Sequence, residues 1–253
     1  MVVLSAIITV TNLHKAFGSF VVLNGIDVTF EEGRITTIIG QSGTGKSVLF
    51  KNMIGILKPD KGEIWYRDTC VTKASEDQLI ELRRSFGYSF QGAALFDSMT
   101  VAENIAFPLR EVLRIRNKRE YAKRVGEMLD WIGLPGIEKK YPAELSGGMR
   151  KRVGVARSLV TKPEVLLFDE PTTGLDPVLG ETINDLVVRV NKELGITCIL
   201  ITHDIQASFR ISDKIAFLHE GAIAEEGTPR QVSRSEHPMV RQFIENSFSL
   251  LEV

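Results

Sequence analysis

The chain has 253 residues, 43% hydrophobic and 25% charged, which suits one large domain or two intimate lobes around a real core. A formal net charge of -1 gives no electrostatic pull toward nucleic acid, and four scattered histidines offer no dedicated zinc site. Cys70 and Cys198 form no CxxC pair and read as reduced core thiols. The apolar residues 1–10 lack a basic leader and a small-residue cleavage site, so no signal peptide is expected. No uncharged apolar run reaches about 18 residues, so the chain is not expected to span a membrane, and a transport role would need a separate membrane partner.

Residues 5–13 alternate and read as a strand, and 20–30 as one or two more. Residues 34–39 are a short apolar strand running straight into a glycine-rich loop, with a helix expected from 46 to about 56. Lys58-Pro59-Asp60-Lys61-Gly62 is turn chemistry, with Pro fixing φ and Gly free to take positive φ. Residues 62–66 and 86–90 look like further strands. From 100 to 160 the period turns helical: Val101, Ile105, Leu109 and Leu113 recur, then Val125, Met128, Leu129 and Ile132. A buried-type strand at 164–168, a helix at about 178–194, a strand at 197–201, a helix and a strand at 214–219 follow, with Gly221 marking a hairpin-like turn. Strand and helix alternate on both sides of an all-helical insert, so an α/β core interrupted by a helical lobe at about 90–160 is expected. Residues 238–253 read as a helix and short apolar tail, with Phe243, Ile244, Phe248, Leu250 and Leu251 too apolar to be free. Docking on the protomer and docking on a second copy both remain open.

Gly40-Gln41-Ser42-Gly43-Thr44-Gly45-Lys46-Ser47 matches the phosphate-loop pattern G-x-x-x-x-G-K-[ST] between a strand and a helix. Its glycines let backbone N–H groups turn inward around phosphate oxygens, and the helix adds its positive end. Lys46 would reach the β- and γ-phosphates of ATP, and the Ser47 hydroxyl would ligate Mg²⁺. Glu164-Val165-Leu166-Leu167-Phe168-Asp169-Glu170 is an apolar strand ending in two carboxylates, a place that lies beside the phosphate loop in this class of fold. Asp169 would hold Mg²⁺, directly or through water, and Glu170 would act as general base on the attacking water.

With Leu145-Ser146-Gly147-Gly148-Met149 opening a helix, the sequence resembles the ABC ATPase family over nearly its whole length. The phosphate loop, the signature and the acidic strand come in the family's order. Gln91, Gly174-Leu175-Asp176 and His203 fit three further loops. The resemblance implies a P-loop NTPase (RecA-like) core sheet with an N-terminal antiparallel β lobe and an inserted helical lobe, as a single domain over 1–253. It implies a homodimer holding two ATP–Mg²⁺, in which Ser146, Gly147 and Gly148 of one protomer close on the γ-phosphate bound by the other. Gln91 would contact Mg²⁺ and the water, Asp176 would sit at the dimer interface, and His203 would hydrogen-bond the γ-phosphate. Phe17 stands where Tyr is common and would stack on adenine; Met149 replaces the usual Gln of the signature.

Gln91-Gly92-Ala93-Ala94-Leu95-Phe96-Asp97-Ser98-Met99-Thr100-Val101, together with the LSGGM variant, looks like the Mla-type ATPases. That subclass implies phospholipid or hydrophobic-solute traffic between Gram-negative membranes. It also implies permease subunits, MCE-domain and STAS-domain partners, and a peripheral place on the cytoplasmic side of the inner membrane. Leu95, Phe96 and Met99 read either as a groove for a permease helix or as lobe core. A DNA-repair or translation ABC protein fits less well, since the chain has one cassette and no heptad run, and a P-loop kinase leaves Ser146–Gly148 unexplained.

Overall fold

The computed structural model describes residues 5–248. The first half contains β1 (Ala6–Phe17), β2 (Phe20–Glu31), β3 (Ile35–Ile39), α1 (Lys46–Met53), β4 (Lys61–Tyr66), β5 (Thr69–Cys70), α2 (Glu76–Arg84) and β6 (Phe86–Ser89). Three helices follow: α3 (Val101–Glu111), α4 (Lys118–Trp131) and α5 (Gly147–Leu159). The rest is β7 (Val165–Asp169), α6 (Pro177–Leu194), β8 (Thr197–Thr202), α7 (Ile205–Ile211), β9 (Lys214–His219), β10 (Ala222–Gly227), α8 (Pro229–Val232) and α9 (Pro238–Phe248).

The strands form two sheets. The antiparallel one runs β2-β1-β4-β5, and the larger runs β10-β9-β3-β8-β7-β6, parallel from β9 to β6. Every residue of β3 and β8 is buried, because helices or the other sheet cover both faces. Alternate residues of the same strands feed different cores. Leu167, Ile199 and Ile201 join α1 and the antiparallel sheet, with Phe50, Leu23 and Phe30. Leu166, Phe168 and Leu200 join α3 to α6, with Ile105, Leu129, Val153 and Val187. Loop ends from both cores meet at the carboxyl edge of the parallel strands, where ligands bind in such sheets.

The architecture is the expected one, with differences at the element ends. Strand β1 continues to Phe17, because a register shift between Val10 and Leu13, with Asn12 at φ 46°, breaks the alternation there. Helix α1 stops at Met53: Gly55, at φ 67°, ends it while Ile56 N donates back to Lys51 O at 2.8 Å. Helix α2 went unforeseen because it is largely polar and buries only Leu79 and Leu82, although Ser75 and Gln78 form a capping box at its start. Helix α9 packs on its own protomer: Val240 is buried against Ile39, Ile215 and Val232, and Phe243 meets Phe217 edge-on at 5.1 Å. The tail residues Leu250 and Leu251, and the Phe248 side chain, lie outside the described residues. Leu95 packs against the second core, whereas Phe96 stays half-exposed beside Phe90 and Phe107 in a groove of 430 Å³. Among the described residues no helix is long and apolar enough to cross a membrane.

Candidate functional site

Strand β3 delivers the chain into the 40–45 loop, and α1 begins at Lys46. Only glycine fits at position 40, since a Cβ there would stand 2.3 Å from the Leu218 carbonyl oxygen. Lys46 is nearly buried, and its Nζ donates to Gly40 O at 2.8 Å and Gln41 O at 2.9 Å. Burial lowers its pKa, and the carboxylates of Glu170 and Asp169 oppose that shift. Thr44 Oγ1 closes the turn on Gln41 O at 2.8 Å. Ser47 Oγ donates to Asp169 Oδ1 at 3.3 Å, which joins the loop to the end of β7.

The other Asp169 oxygen accepts from Tyr88 OH at 2.8 Å. Tyr88, on β6, lies on the strand beside β7, and burial followed by the Asp169 contact raises its pKa, so it remains a donor. This residue was missed; its place three residues before Gln91, on the strand neighbouring Asp169, was the available signal. Glu170 sits at φ 48°, a left-handed conformation that non-glycine residues adopt mainly where the surroundings enforce it. Its N–H donates to Ile201 O at 2.9 Å. Its Oε2 accepts from His203 Nδ1–H at 2.8 Å and from Thr173 Oγ1 at 3.1 Å.

These residues frame one cleft of 490 Å³, with Ser42, Gly43, Gly45, Lys46 and Ser47 on one wall and Gln91, Asp169, Glu170 and His203 on the other. The remaining candidates lie elsewhere. Phe17 is half-exposed at the end of β1, with Lys15 Nζ 5.5 Å over its ring. Ser146 caps α5, accepting from Met149 N at 3.3 Å. Gly147 and Gly148 lie against Leu175 and Leu179, where a Cβ would come within 3.4 Å and 3.2 Å of their side chains. Asp176 caps α6, accepting from Leu179 N at 3.0 Å. It lines a neighbouring cleft of 520 Å³ that shares Thr173 and His203 with the first. The expected residues therefore do not all share one cleft: Ser146, Gly147 and Gly148 lie at the start of α5, Asp176 lines the adjoining cleft, and Phe17 stands at the end of β1.

Among the described residues no three His, Cys, Asp or Glu cluster as an all-protein metal cage. The Ser47–Asp169 pair instead offers one hydroxyl and one carboxylate, the sparse oxygen set that suits Mg²⁺ shared with substrate phosphates.

A protein-family model described as "ABC transporter" matches residues 23–173. The chain belongs to the ABC transporter family. It is similar to the probable ribonucleotide transport ATP-binding protein mkl of Mycobacterium bovis, at 40% identity over 94% of this chain and 66% of that one. It is similar to the methionine import ATP-binding protein MetN of Geobacillus kaustophilus, at 40% identity over 93% of this chain and 69% of that one. The chain thus spans just under two thirds of the mycobacterial relative. Among solved structures, cbiO1 from Clostridium perfringens, part of the ABC transporter complex cbiONQ, superposes with TM-score 0.83 at 33% identity, covering 98% of this chain and 96% of that one. The ATP-binding cassette MJ0796, in a dimeric post-hydrolysis state bound to ADP and Pi, superposes with TM-score 0.80 at 31% identity, covering 88% and 99%. The fold is the ABC ATPase fold, and ABC cassettes are ATPases that bind ATP with Mg²⁺. The names of these relatives specify ribonucleotide transport and methionine import. They lend nothing to the phospholipid reading, which stands on the 91–101 segment and the LSGGM variant.

Proposed function

We propose that this chain is the ATP-hydrolysing subunit of an ABC transporter, a single ABC ATPase domain that dimerises around two ATP–Mg²⁺ and drives a separate permease. One observation carries this reading. Lys46, Ser47, Gln91, Asp169, Glu170 and His203 converge on one cleft while Ser146, Gly147 and Gly148 lie outside it and Asp176 lines the adjoining cleft. A site split in this way is completed by a second copy, whose Ser146 end of α5 closes over the first copy's cleft. Bound Mg²⁺ would neutralise charge on the β- and γ-phosphates. The chain's own groups do the rest: Lys46 binds phosphate, Ser47 and Asp169 supply oxygen ligands with Gln91, and Glu170 takes a proton from water. His203, hydrogen-bonded to Glu170, orients that carboxylate and faces the γ-phosphate position, and Phe17 stacks on adenine.

Specific ATPase activity should rise with protein concentration, and Ser146→Arg should abolish turnover while ATP binding by the monomer stays intact. A rate per protomer that stays flat into the nanomolar range, in a demonstrated monomer, overturns the shared site.

The half-exposed Phe90 and Phe96 beside Phe107 offer an apolar seat for a permease helix next to Gln91. For cargo, we propose phospholipid or a hydrophobic solute moving between Gram-negative membranes, with MCE-domain and STAS-domain partners. The chain would then sit peripherally on the cytoplasmic side of the inner membrane. The relatives' names favour a second reading, import of a small polar solute such as a nucleotide or methionine. Deleting the gene separates the two. A weakened outer-membrane barrier to detergent supports lipid traffic, whereas an intact barrier with lost solute uptake supports import.

A further inference from the structure

Helix α5 turns one face toward the loop that follows β6. Lys151, Gly154 and Arg157 stand three residues apart on it, the spacing that aligns side chains along one side of a helix. Lys151 Nζ donates to the Gln91 carbonyl and reaches the Glu170 carbonyl at 3.3 Å. At Gly154 the loop approaches so closely that a Cβ would lie 3.1 Å from the Ala93 side chain and 3.3 Å from its backbone. Arg157 donates to Ala94 O at 2.7 Å and Ala93 O at 2.8 Å. Ala93 and Ala94 hold φ 61° and 47°, conformations that persist in non-glycine residues only where the surroundings fix them. The α5 face supplies that fixing.

Lys151 differs from Arg157 in what it reaches. Its ammonium is nearly buried, and desolvation lowers its pKa against the opposing pull of Glu170 and Asp169. Three donors and no acceptor suit an ammonium to serve two carbonyls at once. Those carbonyls belong to Gln91 and Glu170, which stand on different strands' ends and have no covalent reason to move together.

We propose that Lys151 is a positioning residue: by holding the Gln91 and Glu170 carbonyls on one ammonium, it sets both side chains in register with α5, the helix whose Ser146 end closes on the partner's nucleotide. The proposal rests on the two-copy hydrolytic site argued above. Lys46, the phosphate loop and Asp169 bind ATP without it.

Lys151→Met keeps the length and apolar stem and removes the donors. Its kcat should fall about 10- to 100-fold, the cost of small misplacement of reacting groups, while KM and the affinity for ATP stay near their original values. Added to Glu170→Gln, Lys151→Met should cause less than its full loss, since one of the two groups it positions is already disabled. A full multiplicative loss in the double variant overturns the proposal, as does an unchanged kcat in folded Lys151→Met protein. If Lys151→Met fails to fold, Lys151→Gln, whose shorter stem cannot bring its amide to both carbonyls, carries the test: a lowered kcat with unchanged KM supports it, and a kcat equal to the original overturns it. Normal turnover by Glu170→Gln would instead overturn the hydrolytic reading on which the proposal rests.

Discussion

Asn104 is fully buried, and both ends of its amide are hydrogen-bonded. Its Oδ1 accepts from Phe96 N at 2.8 Å, and its Nδ2 faces the carbonyls of Phe96, Met99 and Thr100 at 3.1, 3.1 and 3.0 Å. The segment from Phe96 to Thr100 lies five residues past Gln91, so this one amide anchors the far end of the Gln91 loop to α3. Asn104→Asp preserves the shape but turns the donor face into an acceptor facing three carbonyls. The uncompensated buried group should cost on the order of 3 kcal/mol at neutral pH. The penalty has a definite pH sign. Those carbonyls disfavour a charged carboxylate, so its folded pKa would lie above the unfolded value of about 3.9. Above the folded pKa the full penalty applies. As pH falls through it, the protonated acid donates again and the penalty shrinks. The melting-temperature gap between the variant and the original chain should therefore narrow from about pH 8 to about pH 5. A gap that stays constant or widens would show that these hydrogen bonds do not hold the loop.

At the scale of elements, what was legible followed from how locally each feature is encoded. Strands β7 and β8 were readable because burial on both faces makes them near-continuous apolar runs, ended by a carboxylate pair and a Thr-His-Asp turn, and β3, Ile-Thr-Thr-Ile-Ile, because it leads straight into a glycine loop. The helical period of Val101, Ile105 and Leu109 survives intact as the buried face of α3. Strand β1 was cut short because its bulge breaks the period, and α2 was missed because only two of its residues face a core. Among the site residues, Lys46, Ser47, Asp169 and Glu170 announce themselves through motifs within a few positions. Tyr88, Lys151 and Arg157 do not: their partners are Asp169, Gln91 and Ala93–Ala94, joined through |i−j| separations of 81, 60, 64 and 63. No local pattern encodes a lysine whose partner is a carbonyl on another element. The dock of α9 was undecidable for the same reason, since Phe243 meets Phe217 only once β9 is in place.

At the scale of the whole molecule, the placing of Ser146, Gly147 and Gly148 outside the cleft predicts an assembly that ATP makes and hydrolysis unmakes. Glu170, the proposed base, is the residue expected to separate those two steps. Its Oε2 accepts from His203 and Thr173, and an amide oxygen accepts equally well, so Glu170→Gln should leave the cleft's geometry in place. What the substitution removes is proton affinity and negative charge. Without the base, turnover should fall by about 10²- to 10⁴-fold. ATP binding should persist, because Lys46, Ser47 and Asp169 are untouched. Loss of a carboxylate near the γ-phosphate position also relieves like-charge repulsion, which strengthens the ATP-bound state. The variant should therefore run as a stable dimer with ATP and Mg²⁺ and as a monomer once either is withdrawn, whereas the original chain should pass through the dimer only transiently. Size-exclusion chromatography with and without nucleotide reads this directly. A Glu170→Gln protein that stays monomeric with ATP bound would leave the Ser146 patch without its assigned partner. One that hydrolyses ATP at near the original rate would remove Glu170 as the base and require the strained turn at the end of β7 to serve some other step.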